Sequence, residues 1–543
     1  MLDKLFHTLD NNLTHKGLGK ESSETSHSLI LKSDVTLVFH RGRHTTRATP
    51  IAQAPRRCGA DSNRGINHWR ATQIVQPSYM NGKEQYLDNS TTKAVVWESW
   101  LEETLLPDLR SDETPDPVPF FESTDNGLET SDALGSYKWG MNDGDYLYLI
   151  YLLDGPVVDA QSVIPVYVGE SNDISSRIGQ HSRKIRDSLP VTEWEDDDKW
   201  GSFSKYDQIA AVAERADCPL YVWIADVDEF GFCPYDFETY RQELEAKLVG
   251  LVHAQPEYER IFANREFVPN RVLHEIGKAG LEWVEDEVAS QATRPPSHEI
   301  NVGNNSVTKA ECWREWAAEY ILDDIQNERQ SDPIPLFDVT DDLQVRTSDD
   351  ETLERSAKID ARIRREGQKC VGSDGIREDG YDGLLYVMYQ LEGSAATATP
   401  TDIVPRYIGK AEAYGKKREL SSNFTEIAYE RNATRSFARW GGGNYWHIGE
   451  LSLALAGEDK RKQHWVEALF EPDSRKLSEQ AYLWVYAWSS AEDSSPYGTP
   501  ATLAEVEPLL IGTAYDAYPE DLLNKSGTPD DAPIKMMTPT STN

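Results

Sequence analysis

The strongest constraint on this chain is an internal repetition. Leu147 to Gly169 contains LYLIYLLDG and then PVYVG, and Leu385 to Gly409 contains LYVMYQLEG and then PRYIG. Each stretch reads as a β-hairpin that carries one tyrosine on each strand, Tyr148 with Tyr167 and Tyr386 with Tyr407. The repetition extends upstream. Trp97 to Trp100 aligns with Trp313 to Trp316, and Pro117 to Phe121 (PVPFF) with Pro333 to Phe337 (PIPLF), both at an offset of 216. The offset grows to 238 at Tyr148 and Tyr386 and to 262 at Glu245 and Glu507, so the second copy carries insertions. Most of the first increment falls in Ser348 to Asp382, a charged tract expected to form a loop or a short solvated helix. Two copies of about 200 residues imply tandem domains and not a solenoid.

Charge sets the habitat this chain is suited to. The formal net charge over 543 residues is −37, while 10% aromatic content argues against a plain disordered polyelectrolyte. Carboxylates spread over both copies read as a surface that stays hydrated in concentrated salt. There the Debye length falls to about 3 Å and self-repulsion is screened. The expected location is the cytoplasm of an extreme halophile. Residues 1–79 differ, with 11 Lys+Arg against 6 Asp+Glu and 6 of the 12 histidines. They are expected to be a basic, disordered extension or the product of a start codon assigned too early. No window reaches the roughly 18 apolar residues a membrane span needs, so no membrane partner is expected. Cys58, Cys218, Cys233, Cys312 and Cys370 form no CxxC pair, which supports neither a structural zinc nor a disulfide framework.

Around the first hairpin, Tyr146 to Leu153 is apolar on both faces, as a doubly covered strand should be, and Val163 to Val168 is its partner. Ser171-Asn172 is an N-cap signal, and the helix that follows places Arg177 and His181 four residues apart on one face. Phe237 to Val252 has helical periodicity, with Glu245 at the margin of the apolar stripe, where a carboxylate can bind a hard cation. Copy two repeats E-x-x-L-V as E-x-x-L-I at Glu507. There Pro508 is expected at the first or second helical position.

Together these residues resemble the GIY-YIG nuclease family. Copy one carries the resemblance through Tyr148, Tyr167, Arg177, His181, Glu245 and Asn264. Copy two carries it through Tyr386, Tyr407, Arg418, Glu507 and Asn524. Tyr146 stands where the family has glycine, and the 19-residue spacing of the first tyrosine pair is longer than the family's hairpin. Arg418 falls one place late, and Ser422 stands where a histidine would follow, so His447 is the spatial substitute. The resemblance implies an α+β fold: two tandem domains, each a small, mainly antiparallel sheet flanked by helices, over residues 80–288 and 307–528. A linker at 289–306 and a disordered tail at 529–543 complete the chain. It further implies a metal-dependent endonuclease acting on DNA, branched or foreign DNA included, with one Mg²⁺ or Mn²⁺ per site on Glu245 and on Glu507. In that reading Tyr148, Tyr167, Arg177, His181, Tyr386, Tyr407 and Arg418 are catalytic. Asn264, Lys184, Asn524 and His447 touch substrate. The copies pair as an intramolecular pseudo-dimer, and copy one, with the fuller set, is the active site. The competing reading is an inactive nucleic-acid-binding or assembly protein built on degenerate copies of the same domain.

Overall fold

The computed structural model describes residues 89–110, 117–124, 127–134, 144–155, 159–188, 204–215, 219–227, 234–237, 239–255, 258, 261–269, 307–326, 332–371, 380–415, 419–428 and 435–536. The expected extension at 1–79 and linker at 289–306 lie outside them. The class is α+β, with small antiparallel sheets flanked by helices.

Copy one opens with α1 (Asn89–Trp100), which runs through a π-helical turn at Leu101–Leu105 to Arg110. Short strands β1 (Val118–Pro119), β2 (Phe121–Thr124) and β3 (Gly127–Thr130) follow. Next come β4 (Tyr146–Leu153), β5 (Val163–Ser171), α2 (Ile174–Arg186), α3 (Lys205–Arg215), β6 (Tyr221–Asp226) and α4 (Arg241–His253). The sheet order is β1-β6-β4-β5. β4 is the doubly paired strand, and all its residues but Leu153 are buried, which is why it reads as an unbroken apolar run. β5 is the edge, and its lone proline, Pro165, costs no interior ladder bond there. The helix cap falls later than Ser171-Asn172. Strand pairing holds Ser171, and Asp173 Oδ1 instead accepts from the Ser176 amide at 3.0 Å.

Copy two repeats this plan. Helix α5 (Lys309–Ala317) also passes into a π-helical turn, at Ala318–Leu322. Then follow α6 (Ala357–Val371), β7 (Gly383–Leu391), β8 (Ile403–Glu412), α7 (Ser422–Ala428), α8 (His447–Leu455), α9 (Gln463–Leu469), β9 (Tyr482–Trp488) and α10 (Leu503–Ala517). The sheet order is β8-β7-β9, and Pro335 bridges to Tyr482 as Pro119 pairs with Tyr221. Both hairpins bulge at the same place, after Ile150 and after Met388.

Three expectations are corrected. The Ser348–Asp382 tract contains α6, which is a core helix: Ile359, Ile363 and Cys370 are buried, and Arg362 and Glu366 pair with each other at 3.2 Å beneath the sheet. Its charges reflect a buried ion-pair network, which composition cannot tell from a solvated face. Pro508 lies at the sixth helical position, because a capping box between Thr502 and Glu505 starts α10 at Leu503. Residues 529–536 are ordered, with Ala532 and Ile534 in the second core and Asp530 paired to Arg241.

The described residues of both copies fall within one compact unit and do not part into two. Cys312, Tyr497 and Leu509 of copy two belong to the hydrophobic core of copy one. At the junction, α4 packs on α10. Lys93 of copy one pairs with Glu505 of copy two at 2.8 Å, and Lys309 of copy two pairs with Glu243 of copy one at 2.5 Å. These residues correspond at offsets of 216 and 262, so the junction is a pseudo-two-fold exchange of buried ion pairs within one chain. Gly250 and Gly512 correspond too: a Cβ at either would overlap the opposing Glu505 or Glu243.

Candidate active sites

Tyr148 lies on β4 opposite Gly169 of β5. A Cβ at position 169 would overlap the phenol, so the glycine ending PVYVG is what lets the ring lie across the edge strand. Tyr167, on the same face, has its ring centroid 6.0 Å away. From α2, His181 reaches Tyr148 with Nε2 3.0 Å from Oη, while its Nδ1 meets no partner. Burial, reinforced by Lys205 and Arg177, pushes this imidazole down to about 2, so it is neutral. Burial likewise holds Tyr148 and Tyr167 well above the ordinary phenol range, against the pull of Arg177. Arg177 lies one turn before His181, partly exposed, with Nη1 3.3 Å from Gln180 Oε1.

Glu245, on α4, is 7% exposed, and among the described residues it makes no hydrogen bond or ion pair. Burial, then the neighbouring carboxylates Glu170 and Glu266, raise its pKa well above the usual range, while Lys205 and Arg177 oppose. A divalent cation would relieve that frustration. Glu245 and Glu170 line one cleft, and the two carboxylates there would hold such an ion, with Glu170 Oε2 also paired to Arg241 at 2.9 Å. No group of three or more His, Cys, Asp or Glu side chains suited to a metal occurs among the described residues. The remaining ligands would be water and phosphate oxygens, as suits magnesium.

Copy two builds the same constellation by another route. Tyr386 lies opposite Gly409, where a Cβ would again meet the ring. His447 Nε2 is 3.2 Å from Tyr386 Oη, and its Nδ1 is unpartnered like that of His181. Thus His447, the expected spatial substitute, contacts the tyrosine. Arg418 lies outside the described residues. The arginine whose charge acts on Tyr386, Tyr407 and His447 is Arg439. It is presented by a left-handed turn in which Ala438 and Arg439 have φ of 50° and 71°. Glu507 is partly exposed, and Lys410 Nζ stands 4.0 Å from it.

Two lysines escaped the sequence reading. Lys205 Nζ donates to Tyr167 Oη at 2.6 Å, and Lys462 Nζ lies 5.1 Å from the Tyr407 ring centroid and 3.6 Å from that of Trp465. Burial is the first cause that lowers each to about 8. Both precede or open short helices with nothing motif-like around them, so no local signal marks them.

Asn264 and Asn524 bind the backbone of the edge strands, and Asn524 also lines the cleft. Asn264 accepts from the Val168 amide at 2.9 Å and donates to the Val168 carbonyl at 2.8 Å, and Asn524 repeats both bonds on Ile408 at the same distances. They staple the edge strands β5 and β8. Lys184 is exposed and rests 4.9 Å from the Tyr206 ring centroid.

Both copies contribute to one cleft of about 430 Å³, lined by Glu170 and Glu245 from copy one and by Tyr407, Lys462, Glu507 and Lys525 from copy two. Among the described residues no helix is long and apolar enough to cross a membrane. No protein-family model matches this chain, and neither a curated protein nor a solved structure does.

Proposed function

We propose that this protein is a metal-dependent endonuclease of the GIY-YIG type that hydrolyses DNA phosphodiester bonds, with copy one as its active site. One observation carries the reading: the two copies assemble the same cluster of two tyrosines, a neutral histidine, an arginine and a glutamate, although the second draws its histidine from a different segment. A packing accident would not recur from unrelated local sequence.

Mg²⁺ or Mn²⁺, held by Glu245 with Glu170, would supply neutralisation of phosphate charge. The chain's own groups do the rest. Arg177 meets the phosphate with a planar donor fork and stabilises the charge that builds on it. Tyr148, fixed by His181, positions the attacking water. Tyr167 takes that water's proton and passes its own to Lys205 Nζ, 2.6 Å away, whose lowered pKa leaves a usable share of free amine near neutrality. The acidic surface suits a high-salt cytoplasm. Counterion release is then weak, and binding relies on these few local cations and on aromatic stacking.

The test is cleavage of plasmid and branched DNA in molar KCl with Mg²⁺ or Mn²⁺. Wild type should cut, Glu245→Gln should lose on the order of a hundredfold or more, and Glu507→Gln should lose much less. Binding without cutting under either metal would reject the nuclease reading in favour of a non-catalytic nucleic-acid-binding protein.

A further inference from the structure

The two sites share a plan but differ at the residue that follows the glycine facing the buried tyrosine. Glu170 follows Gly169 on β5 and is paired in register with Leu147; Lys410 follows Gly409 on β8 and is paired with Leu385. A carboxylate in the first site is therefore an ammonium in the second. Its effect on the metal-site glutamates is opposite. Glu245 is buried with no hydrogen-bond or ion-pair partner among the described residues, and Glu170, itself paired with Arg241, lies on the same cleft wall. Glu507 has Lys410 Nζ at 4.0 Å, and the same Nζ holds Glu412 at 3.0 Å. The place a cation would take beside Glu507 is filled by a covalently attached one.

The second site also presents cations to the cleft: Arg461 is paired with Glu450 and Asp459, whereas Lys462 and Lys525 have no ion-pair partner among the described residues. Lys462 lies on the cleft and makes no carboxylate pair among the described residues; it stands over the faces of Trp465 and Tyr407. Lys525 lines the same wall and is exposed. Burial disfavours the charge on Lys462, Glu450 opposes it, and repulsion from Arg439, Lys525 and Arg461 adds to the burial. Cations that repel one another at a cleft wall are relieved by an anion. Next to Arg461, which lines the cleft, Tyr445 is 74% exposed, its ring centroid 5.7 Å from the guanidinium. An exposed aromatic next to a cation is the arrangement that stacks an unpaired base.

We propose that the second site binds a phosphodiester of single-stranded nucleic acid without metal, through Lys410, Lys462 and Lys525, and so holds the strand on which the first site acts. This rests on the nuclease reading for its purpose but not for its test.

Two binding measurements on the full chain decide it: Mn²⁺ stoichiometry by electron paramagnetic resonance, and anisotropy of a labelled oligothymidylate in EDTA. Wild type should bind one Mn²⁺ tightly and bind the oligonucleotide in EDTA. Lys410→Glu should raise the Mn²⁺ count to two and weaken metal-free oligonucleotide binding about tenfold, the worth of one charge-assisted contact. Lys462→Met should weaken that binding by a similar factor, with the Mn²⁺ count still one. A general structural defect would not move the two readouts of Lys410→Glu in opposite directions. Two tight Mn²⁺ ions in wild type, or EDTA binding that neither variant changes, would overturn the proposal. Intact binding results with no cleavage would overturn the nuclease reading alone.

Discussion

At the scale of single residues, the site works by withholding partners. Among the described residues His181 and His447 have one hydrogen bond each, Glu245 has none, and the partly buried Lys205 has a phenol where a carboxylate would be the ordinary partner. Groups left this way are costly to fold and available for chemistry. Lys205 makes the cost measurable. Its pKa falls from an ordinary value of 10.5 to about 8 in the folded chain, chiefly through burial. Between those values the unfolded chain binds more protons than the folded one, so this group makes stability rise with pH across that window. Lys205→Met should flatten that part of the stability profile in denaturant titrations and raise stability below pH 8. The same lysine, acting as proton acceptor, makes the cleavage rate rise through about pH 8 and level off. Lys205→Met should abolish that limb. A profile that falls above pH 8 would instead assign Lys205 a role as a cation.

At the scale of elements, the edge strands β5 and β8 need help, because nothing pairs with their outer side within either sheet. Asn264 and Asn524 supply it, each mimicking a strand neighbour by binding both the amide and the carbonyl of one residue. Asn264→Ala should cost about 1–3 kcal/mol by leaving the buried Val168 amide and carbonyl unsatisfied. Hydrogen exchange should quicken at Val168 while Ile408 keeps its protection. Equal effects at both would mean that the change acts through global unfolding. The same elements show what could be read in advance. Tyr146–Leu153 was legible to the residue, because a doubly paired strand leaves an unbroken apolar run. The clustering of Tyr148, Tyr167, Arg177 and His181 was legible because strand, cap and helix follow one another at fixed spacing. In copy two that continuity is broken. Arg439 arrives on a left-handed turn and His447 on the start of α8, and neither has a period to betray it. The asparagines were visible as residues but not as staples, since their partners lie 96 and 116 positions away. Lys410 stood in plain view beside Gly409, yet its meaning depends on Glu507 being folded against it.

For the molecule as a whole, the junction decides whether there are two machines or one. Lys93–Glu505 and Lys309–Glu243 are buried pairs that cross between the copies, and Glu243 is further held by Lys247 at 3.2 Å and by the Tyr497 hydroxyl. Replacing such pairs with apolar residues can be neutral, but removing one partner strands a buried charge at a cost of about 3–5 kcal/mol. Because each pair joins opposite copies, the cost falls on both at once. Glu505→Ala should therefore lower a single calorimetric transition and not split it, and Lys93→Met combined with Glu505→Met should recover most of the loss. Two resolved transitions in wild type would mean that the copies fold independently. Salt separates this interior from the surface. A net charge of −37 makes the exposed carboxylates repel, and KCl screens them, so the melting temperature should climb with salt. Screening scarcely reaches a pair whose side chains are only 4% and 1% exposed, as Lys93 and Glu505 are. The climb should therefore have the same slope in wild type and in Glu505→Ala, displaced downward by a constant amount. Convergence of the two curves at high salt would show that the junction is wet, and that the copies are held together by screened attraction and not by a buried exchange.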